Sequence, residues 1–340
     1  MKKQHAICLL LCITIIIFSG CRNITVTTKV NANGSFTRII KITGDSASVF
    51  EPDLPYPIDD SWKKTVIKDT TDQGDYILTY TKTYKKSDQL QSEISQDTSW
   101  RKGLGRNITI DKSFGFFYSH LTFRETYKAT MPFEKLGFPN YLTPEEMFYI
   151  TGAKKPISPG DSIKYKEASD KYIGFLVEGI TNQIIATMEV GIEKLNDPQL
   201  KPETVALYRD SLEHRFHDYD GNMDIYIDFY KAWTGNESFE KLKTLEPPLF
   251  GELNKKVFFA LNAAFMDSYT QAVEMPGLIT ETNAKSVTGN KVSWRVTCEH
   301  FLFEDYEMKV ESRVVNRWVF IVSGVFLLLV LVMLFLKVRG

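Results

Sequence analysis

The densest run of side chains able to hold a cation or move a proton is His214, His217, Asp218, Asp220, Asn222, Asp224 and Asp228. Two imidazoles three residues apart on a helix can share a zinc ion, but the spacing fixes no third ligand. Asp218, Asp220, Asn222 and Asp224 alternate as in a calcium loop. Such a loop needs glycine in its sixth place and a bidentate glutamate in its twelfth, where this chain has Gly221 in the fourth and Phe229 in the twelfth. With Leu212 as origin and about 100° per residue, Val205, Tyr208 and Phe216 fall within about 40°, whereas His214 lies near about 200° and His217 near about 140°. Both imidazoles then face solvent, and the run reads as a solvated helix end with no metal assigned. His214, His217, Asp218, Asp220 and Asp224 remain the candidate ligands of the enzymatic alternative, a metal-assisted hydrolase acting at a membrane surface.

A second candidate is Cys298, with His300 two residues on. By the period of a strand, Cys298 shares a face with Val292, Trp294 and Val296, which places a thiol in a core rather than in the exposed, electropositive setting of a nucleophile. Gly-x-Ser-x-Gly, His-Glu-x-x-His, Gly-x-x-x-x-Gly-Lys and Gly-x-Gly-x-x-Gly do not occur in the sequence. The reading is a non-enzymatic protein without a cofactor.

The third candidate cysteine is Cys21. Met1 to His5 is a basic leader and Ala6 to Phe18 an apolar run of signal-peptide length. Phe18-Ser19-Gly20-Cys21 resembles the cleavage box of bacterial lipoproteins, with Phe18 where leucine is usual. The resemblance implies cleavage before Cys21 and lipidation of its thiol, palmitate being among the acyl chains. At the other end Trp318 to Leu336 is 19 residues without a charge, about 28 Å as a helix. It has the length and composition of a membrane span, with Trp318 at one interface and Arg313, Arg317, Lys337 and Arg339 flanking. Export of the N-terminus orients it: residues 22–317 outside the cytoplasm, residues 337–340 inside.

The charge balance fits. Of 41 basic groups, 37 lie in residues 22–317 with all 42 acidic ones, so the exported part stands at −5 and lacks the basic footprint of a nucleic-acid binder. Four sequons, at Asn23, Asn33, Asn107 and Asn236, admit a eukaryotic receptor. Against it stands the single cysteine of the exported part, Cys298, because such modules are usually stapled by cysteine pairs.

The elements that position these groups follow from periodicity. Ile24 to Val30, Asn33-Gly34 and Phe36 to Thr43 make a hairpin; Glu51 to Pro57 is loop; Tyr76 to Tyr84 is a strand, Asp88 to Asp97 a helix with Leu90 and Ile94 inward. Strands at Asn107 to Asp111 and Gly115 to Lys128 follow. Phe114, Phe116, Phe117, Tyr118, Leu121, Phe123 and Tyr127 crowd the second, which predicts a strand that is central or covered on both sides. Residues 131–169 form a Pro/Gly-rich connection with one helix, Pro144 to Ile150. Residues 170–265 then take a helical period, with stripes at Ile173, Val177, Ile180, Ile184, Met188 and Leu195; Val205, Tyr208, Leu212 and Phe216; and Phe250, Leu253, Val257, Leu261 and Phe265. Strands return at Tyr269 to Glu274, Leu278 to Thr282, Lys291 to Thr297 and Tyr306 to Val314. The prediction is an α+β fold: an antiparallel sheet built from the N-terminal (22–130) and C-terminal (266–317) parts, a helical insertion between, and a transmembrane helix over 318–336. Aromatic side chains near loops, Tyr56, Trp62, Trp100, Phe138, Tyr141, Phe148 and Tyr149, fill a satellite core or line a greasy cleft between helical block and sheet.

The hairpin after Cys21 with its Asn33-Gly34-Ser35 turn, Met275-Pro276-Gly277-Leu278-Ile279 with Asn283-Ala284, and Gly289 to Trp294 followed by Tyr306 to Asn316 and the span together resemble bacterial envelope lipoproteins carrying an LppM-like domain. The likeness covers about one third of the chain and leaves residues 170–265 aside. It implies a lipoprotein of the cell envelope; the double tether then places it at the inner (cytoplasmic) membrane, its domain on the extracytoplasmic side, with an envelope lipid or envelope protein as partner. Intact-mass measurement of the mature chain should find Cys21 at its N-terminus carrying a diacylglyceryl thioether. A mature chain that keeps residues 1–20 contradicts this.

Overall fold

The computed structural model describes residues 22–44, 49–50, 54–68, 76–133, 136–138, 141–152, 158–219 and 221–339. The signal segment, Cys21, the start of the Glu51 to Pro57 loop and Asp220 lie outside these residues. The first hairpin forms as its alternation requires: β1 (Asn23–Val30) pairs antiparallel with β2 (Phe36–Gly44), closed by Gly34 at φ +88°. β3 (Lys63–Lys68) and β4 (Tyr76–Tyr84) extend that side, and β7 (Tyr269–Glu274), β10 (Lys291–Val296) and the short β9 (Ser286–Thr288) complete a seven-stranded sheet in the order β3-β4-β2-β1-β7-β10-β9. A second sheet runs β5 (Asn107–Phe114), β6 (Tyr118–Tyr127), β11 (Tyr306–Val315), β8 (Leu278–Thr282).

The α+β class holds, as do the union of N- and C-terminal strands and the helical insertion between them. The single antiparallel sheet becomes two, and the seam between the two ends of the chain, β1 against β7, is parallel. Period-two alternation reports which residues share a face but not which strands pair. The two sheets share one core, in which Val26, Ile40, Ile42 and Leu78 of the first meet Leu121, Phe123, Met308 and Val310 of the second, with Leu90 and Ile94 of α1 (Ser87–Gln96) alongside.

β6 is central, between β5 and β11, but only one of its faces is buried. Phe114, Phe116 and Phe117 leave the core altogether at 64%, 61% and 42% exposure, because Phe114 is the last paired residue of β5 and Phe116 and Phe117 lie in the turn beyond it.

The insertion hangs on two strands of backbone. Thr130 and Met131 donate to the carbonyls of Phe301 and Leu302, and from there Phe133, Phe138, Phe175, Tyr172 and Phe303 pack ring against ring. α2 (Pro144–Ile150) starts at a Thr143–Glu146 capping box and α3 (Pro159–Leu195) at a Ser158–Asp161 one. This second box opens α3 at Pro159, eleven residues before the helical block that periodicity places from residue 170. It also brings the α2 turn and the aromatic cluster onto Phe175, so the buried stripe rotates and Ile173 stands exposed. The Val205 to Phe216 stripe is broken into α4 (Glu203–Ala206), α5 (Arg209–His214) and a 3₁₀ turn at Phe216–Asp218. α6 (Ile225–Thr234) follows, then α7 (Gly251–Ala264), which buries Leu253, Val257, Ala260 and Ala263 and leaves Leu261 and Phe265 exposed. Ala260 faces the core of the insertion and Ala263 that of the sheets, and Phe259 sits over Gly103, where a Cβ would lie 2.4 Å from its ring.

β11 ends at Val315 and α8 (Arg317–Arg339) begins two residues on, about 34 Å of helix at 1.5 Å per residue. Among the described residues it is the one helix long and apolar enough to cross a membrane. β8 is tied to β11 at the same end by Gly277, whose φ is +82° and where a Cβ would lie 2.3 Å from the Arg313 carbonyl oxygen. Neither backbone can give way. Gly277→Ala should therefore cost about 1–3 kcal/mol beyond the left-handed penalty. Gly289→Ala, at φ +61° with nothing within 4 Å, should cost only that penalty, about 1–2 kcal/mol. Thermal unfolding of the two variants in detergent checks the difference.

Candidate functional site

Of the side chains singled out for metal chemistry, those described do not converge. His214 is exposed at the end of α5, its Nδ1 2.6 Å from the Asp210 carbonyl oxygen. Asp218 accepts from Arg215 at 2.9 Å, Asp224 precedes α6, and Asp228 pairs with Lys243 at 2.5 Å. Asp220 and the His217 side chain lie outside the described residues. Among those described, no group of three or more His, Cys, Asp or Glu is placed to hold a metal ion. Cys298 sits in the core beside Val292, Trp294 and Val296, and burial pushes its thiol well above the ordinary range. His300 turns to Thr297, 3.2 Å from that hydroxyl, and lies against the Tyr306 ring. Burial, with Lys285 and Arg295 adding repulsion, lowers its pKa to about 4.

The charged groups the fold does bring together are Arg38 of β2, Arg106 just before β5, and Glu125 of β6. The side chains of Arg38 and Glu125 are 0% exposed and that of Arg106 1%. Arg38 Nη2 donates to Glu125 Oε2 at 2.8 Å and Arg106 Nη2 to Glu125 Oε1 at 2.6 Å. Tyr56 lies between the two guanidiniums, 4.9 Å from Arg38 and 4.0 Å from Arg106, and its hydroxyl is within reach of Glu125 and of Gln271 on β7. Gln271 passes the chain on to Thr28 of β1, and Tyr127 of β6 meets Tyr269 of β7 hydroxyl to hydroxyl.

Two cations against one anion leave this interior at +1, and the aromatic faces of Tyr56 and Tyr127 supply the remaining attraction. Burial alone would raise the Glu125 pKa; Arg38 and Arg106 overcome that and hold it down to about 2. The network joins the inner faces of both sheets, so it fixes their register on each other. It is closed to solvent, which makes it a positioning device rather than a place for a ligand.

None of its three charged members was singled out from the sequence, yet the pattern carries a signal. Phe36, Arg38, Ile40 and Ile42 share a strand face, as do Leu121, Phe123, Glu125 and Tyr127. A charge in the middle of an apolar face on each of two strands, with opposite signs, is the trace of a buried pair.

Among the described residues, two of the open clefts join apolar surface to a few polar groups. One, about 440 Å³, lies at the edge of the first sheet between Trp294, Arg295, His300, Tyr306 and Lys285. The other, about 620 Å³, is an apolar groove floored by Phe133, Leu136, Gly179, Ile185 and Ala186 and rimmed by Asn182, Gln183, Glu189 and Lys256. This groove lies within the helical insertion, between α3, α7 and the segment after Thr130, rather than between helices and sheet. Of the loop aromatics, Tyr56, Trp62, Phe138 and Tyr149 are core residues and Tyr141 is exposed.

The sequence matches no known protein family and no curated protein. Among solved structures the chain is similar to the NMR structure of the folded domain of Mycobacterium tuberculosis LppM, at 8% identity over 88% of this chain and 94% of that one, with a TM-score of 0.28. A likeness that loose carries no weight for fold or function.

The buried network makes a signed prediction. A carboxylate whose folded pKa is depressed to about 2 from 4.5 adds stability that is complete above pH 4.5 and is lost as the pH falls toward 2. Glu125→Gln should flatten that acid limb. Glu125→Ala, which strands two buried guanidiniums, should cost about 3–5 kcal/mol at neutral pH. Denaturant titrations across pH, followed by tryptophan fluorescence, measure both.

Proposed function

We propose that this protein is a doubly anchored lipoprotein of the bacterial envelope. Its exported α+β domain is a non-enzymatic binding or scaffold module for an envelope lipid or envelope protein, held at the inner-membrane surface. The observation that carries the reading is the junction of β11 and α8. A strand at the centre of the second sheet continues into an apolar helix of spanning length after one intervening residue, Asn316. A module built for free diffusion has no use for such a junction. Lipidation of Cys21 would place a second tether one residue ahead of Arg22, which pairs with Asp267 at 2.6 Å beside the start of β7.

The apolar groove on the insertion is the place where a hydrophobic ligand fits best. Its floor is Phe133 and Ile185, its opening is flanked by one carboxylate and one amine, and Gly179 keeps it deep, since a Cβ there would lie 2.2 Å from the Phe133 ring. This combination of apolar floor and few polar rim groups is the usual make-up of small-molecule and lipid sites.

Native mass spectrometry of the full-length protein, released from membranes in mild detergent, should retain an acyl lipid or a hydrophobic segment of a partner. Ala186→Trp, which fills the groove from an exposed position, should weaken that retention about tenfold or more, a change of about 1.4 kcal/mol. Equal retention by wild type and variant contradicts the groove as the site, and recovery of the protein without detergent contradicts the membrane reading itself.

A further inference from the structure

We infer that the tip of the β5–β6 hairpin is a third membrane contact, a wedge of aromatic side chains that enters the interfacial layer of the same bilayer crossed by α8. The inference rests on the reading of α8 as a membrane span and adds a surface of the folded domain to it.

The tip carries Phe114, Phe116 and Phe117, three large apolar side chains in four residues, all turned away from the core. In water such a patch has no compensation. Its position supplies one. Phe114 stacks on Trp318 with ring centroids 6.1 Å apart, and Phe117 lies 5.1 Å from Phe320, so the tip sits beside the first turn of the apolar helix. Trp318 is the residue that membrane spans place at the water–lipid boundary. Rings stacked on Trp318 and Phe320 therefore occupy that boundary too.

The hairpin is locked there. Asn316 donates from its backbone to the Phe117 carbonyl at 2.8 Å and from its side chain to the carbonyls of Gly115, at 2.8 Å, and Phe116, at 3.3 Å. Its own side-chain oxygen accepts from Ser119 at 2.9 Å. One asparagine thus satisfies the turn's backbone and ties it to the start of the helix, and Val319 is 1% exposed beneath it. Around the wedge the chemistry is that of a headgroup layer. Arg313 lies over the Tyr118 ring, Arg317 is exposed, and Leu278 and Val315 continue the apolar rim. Bilayer lipid is the occupant this surface fits: apolar rings at the depth of an interfacial tryptophan, with guanidiniums able to meet phosphates.

The test uses full-length protein in vesicles of phosphatidylethanolamine and phosphatidylglycerol, with an environment-sensitive fluorophore on Phe116→Cys or, in a second preparation, on Met333→Cys within α8; Cys298 is buried and spared. The Phe116 label should be quenched by lipids brominated near the headgroup and protected from aqueous iodide. If iodide reaches it while the Met333 label stays lipid-quenched, the wedge is wrong and the span stands. If it is shielded from both iodide and brominated lipid, a contact between copies covers the tip and the proposal is overturned. If iodide reaches Met333, both the wedge and the membrane span fall.

Discussion

A connection of one residue has the largest consequences. Asn316 alone separates the last strand from the apolar helix, so the second sheet has no hinge with which to leave the membrane surface. Paired on one side with β6 and on the other with β8, β11 transmits that constraint to four strands. The buried triad of Arg38, Glu125 and Arg106 then hands it to the first sheet, because a carboxylate on β6 is satisfied only when β2 brings its guanidinium to the right place. Such a network is costly to bury and adds little net stability over a packed apolar core. Its contribution here is a single relative placement of two sheets that otherwise meet through interchangeable aliphatic side chains.

The same logic separates the rigid body from the insertion. Helices α2 to α7 join the sheets through Thr130, Met131, Phe301 and Leu302 and then through a cluster of rings. The groove that best suits a hydrophobic ligand belongs wholly to this insertion. In the proposed reading, anchoring and recognition sit on different parts of the fold: sheets and α8 hold position, while the helices offer a surface whose contacts are chiefly dispersion and apolar burial.

Much of this was legible in the residues, and the parts that were not share a cause. Tyr76–Tyr84, Pro144–Ile150, Tyr269–Glu274 and Leu278–Thr282 have the boundaries their patterns indicate, because alternation, capping residues and Pro-Gly turns are local signals. Strand pairing is not local, so the parallel β1–β7 seam and the split into two sheets escaped. The hairpin tip was misread for a related reason: Phe114, Phe116 and Phe117 look like core by composition, and only the partner at the end of the chain reveals where they point. The buried triad is hidden in plain alternation, since nothing local to a lone arginine among isoleucines names the carboxylate that pairs with it. The acidic run from His214 to Asp228 drew attention by its density, yet the structure disperses what it describes of it into surface pairs with Arg215 and Lys243.

The claim that the folded domain is rigidly continuous with the apolar helix is open to direct measurement. Spin labels at Arg124, on the exposed face of β6, and at Lys337, near the far end of α8, in full-length protein held in lipid nanodiscs, report the distance between domain and span. One narrow distance distribution, unchanged between detergent and bilayer, is the predicted result. A broad or bimodal distribution would show a hinge at Asn316 and contradict the account at its root.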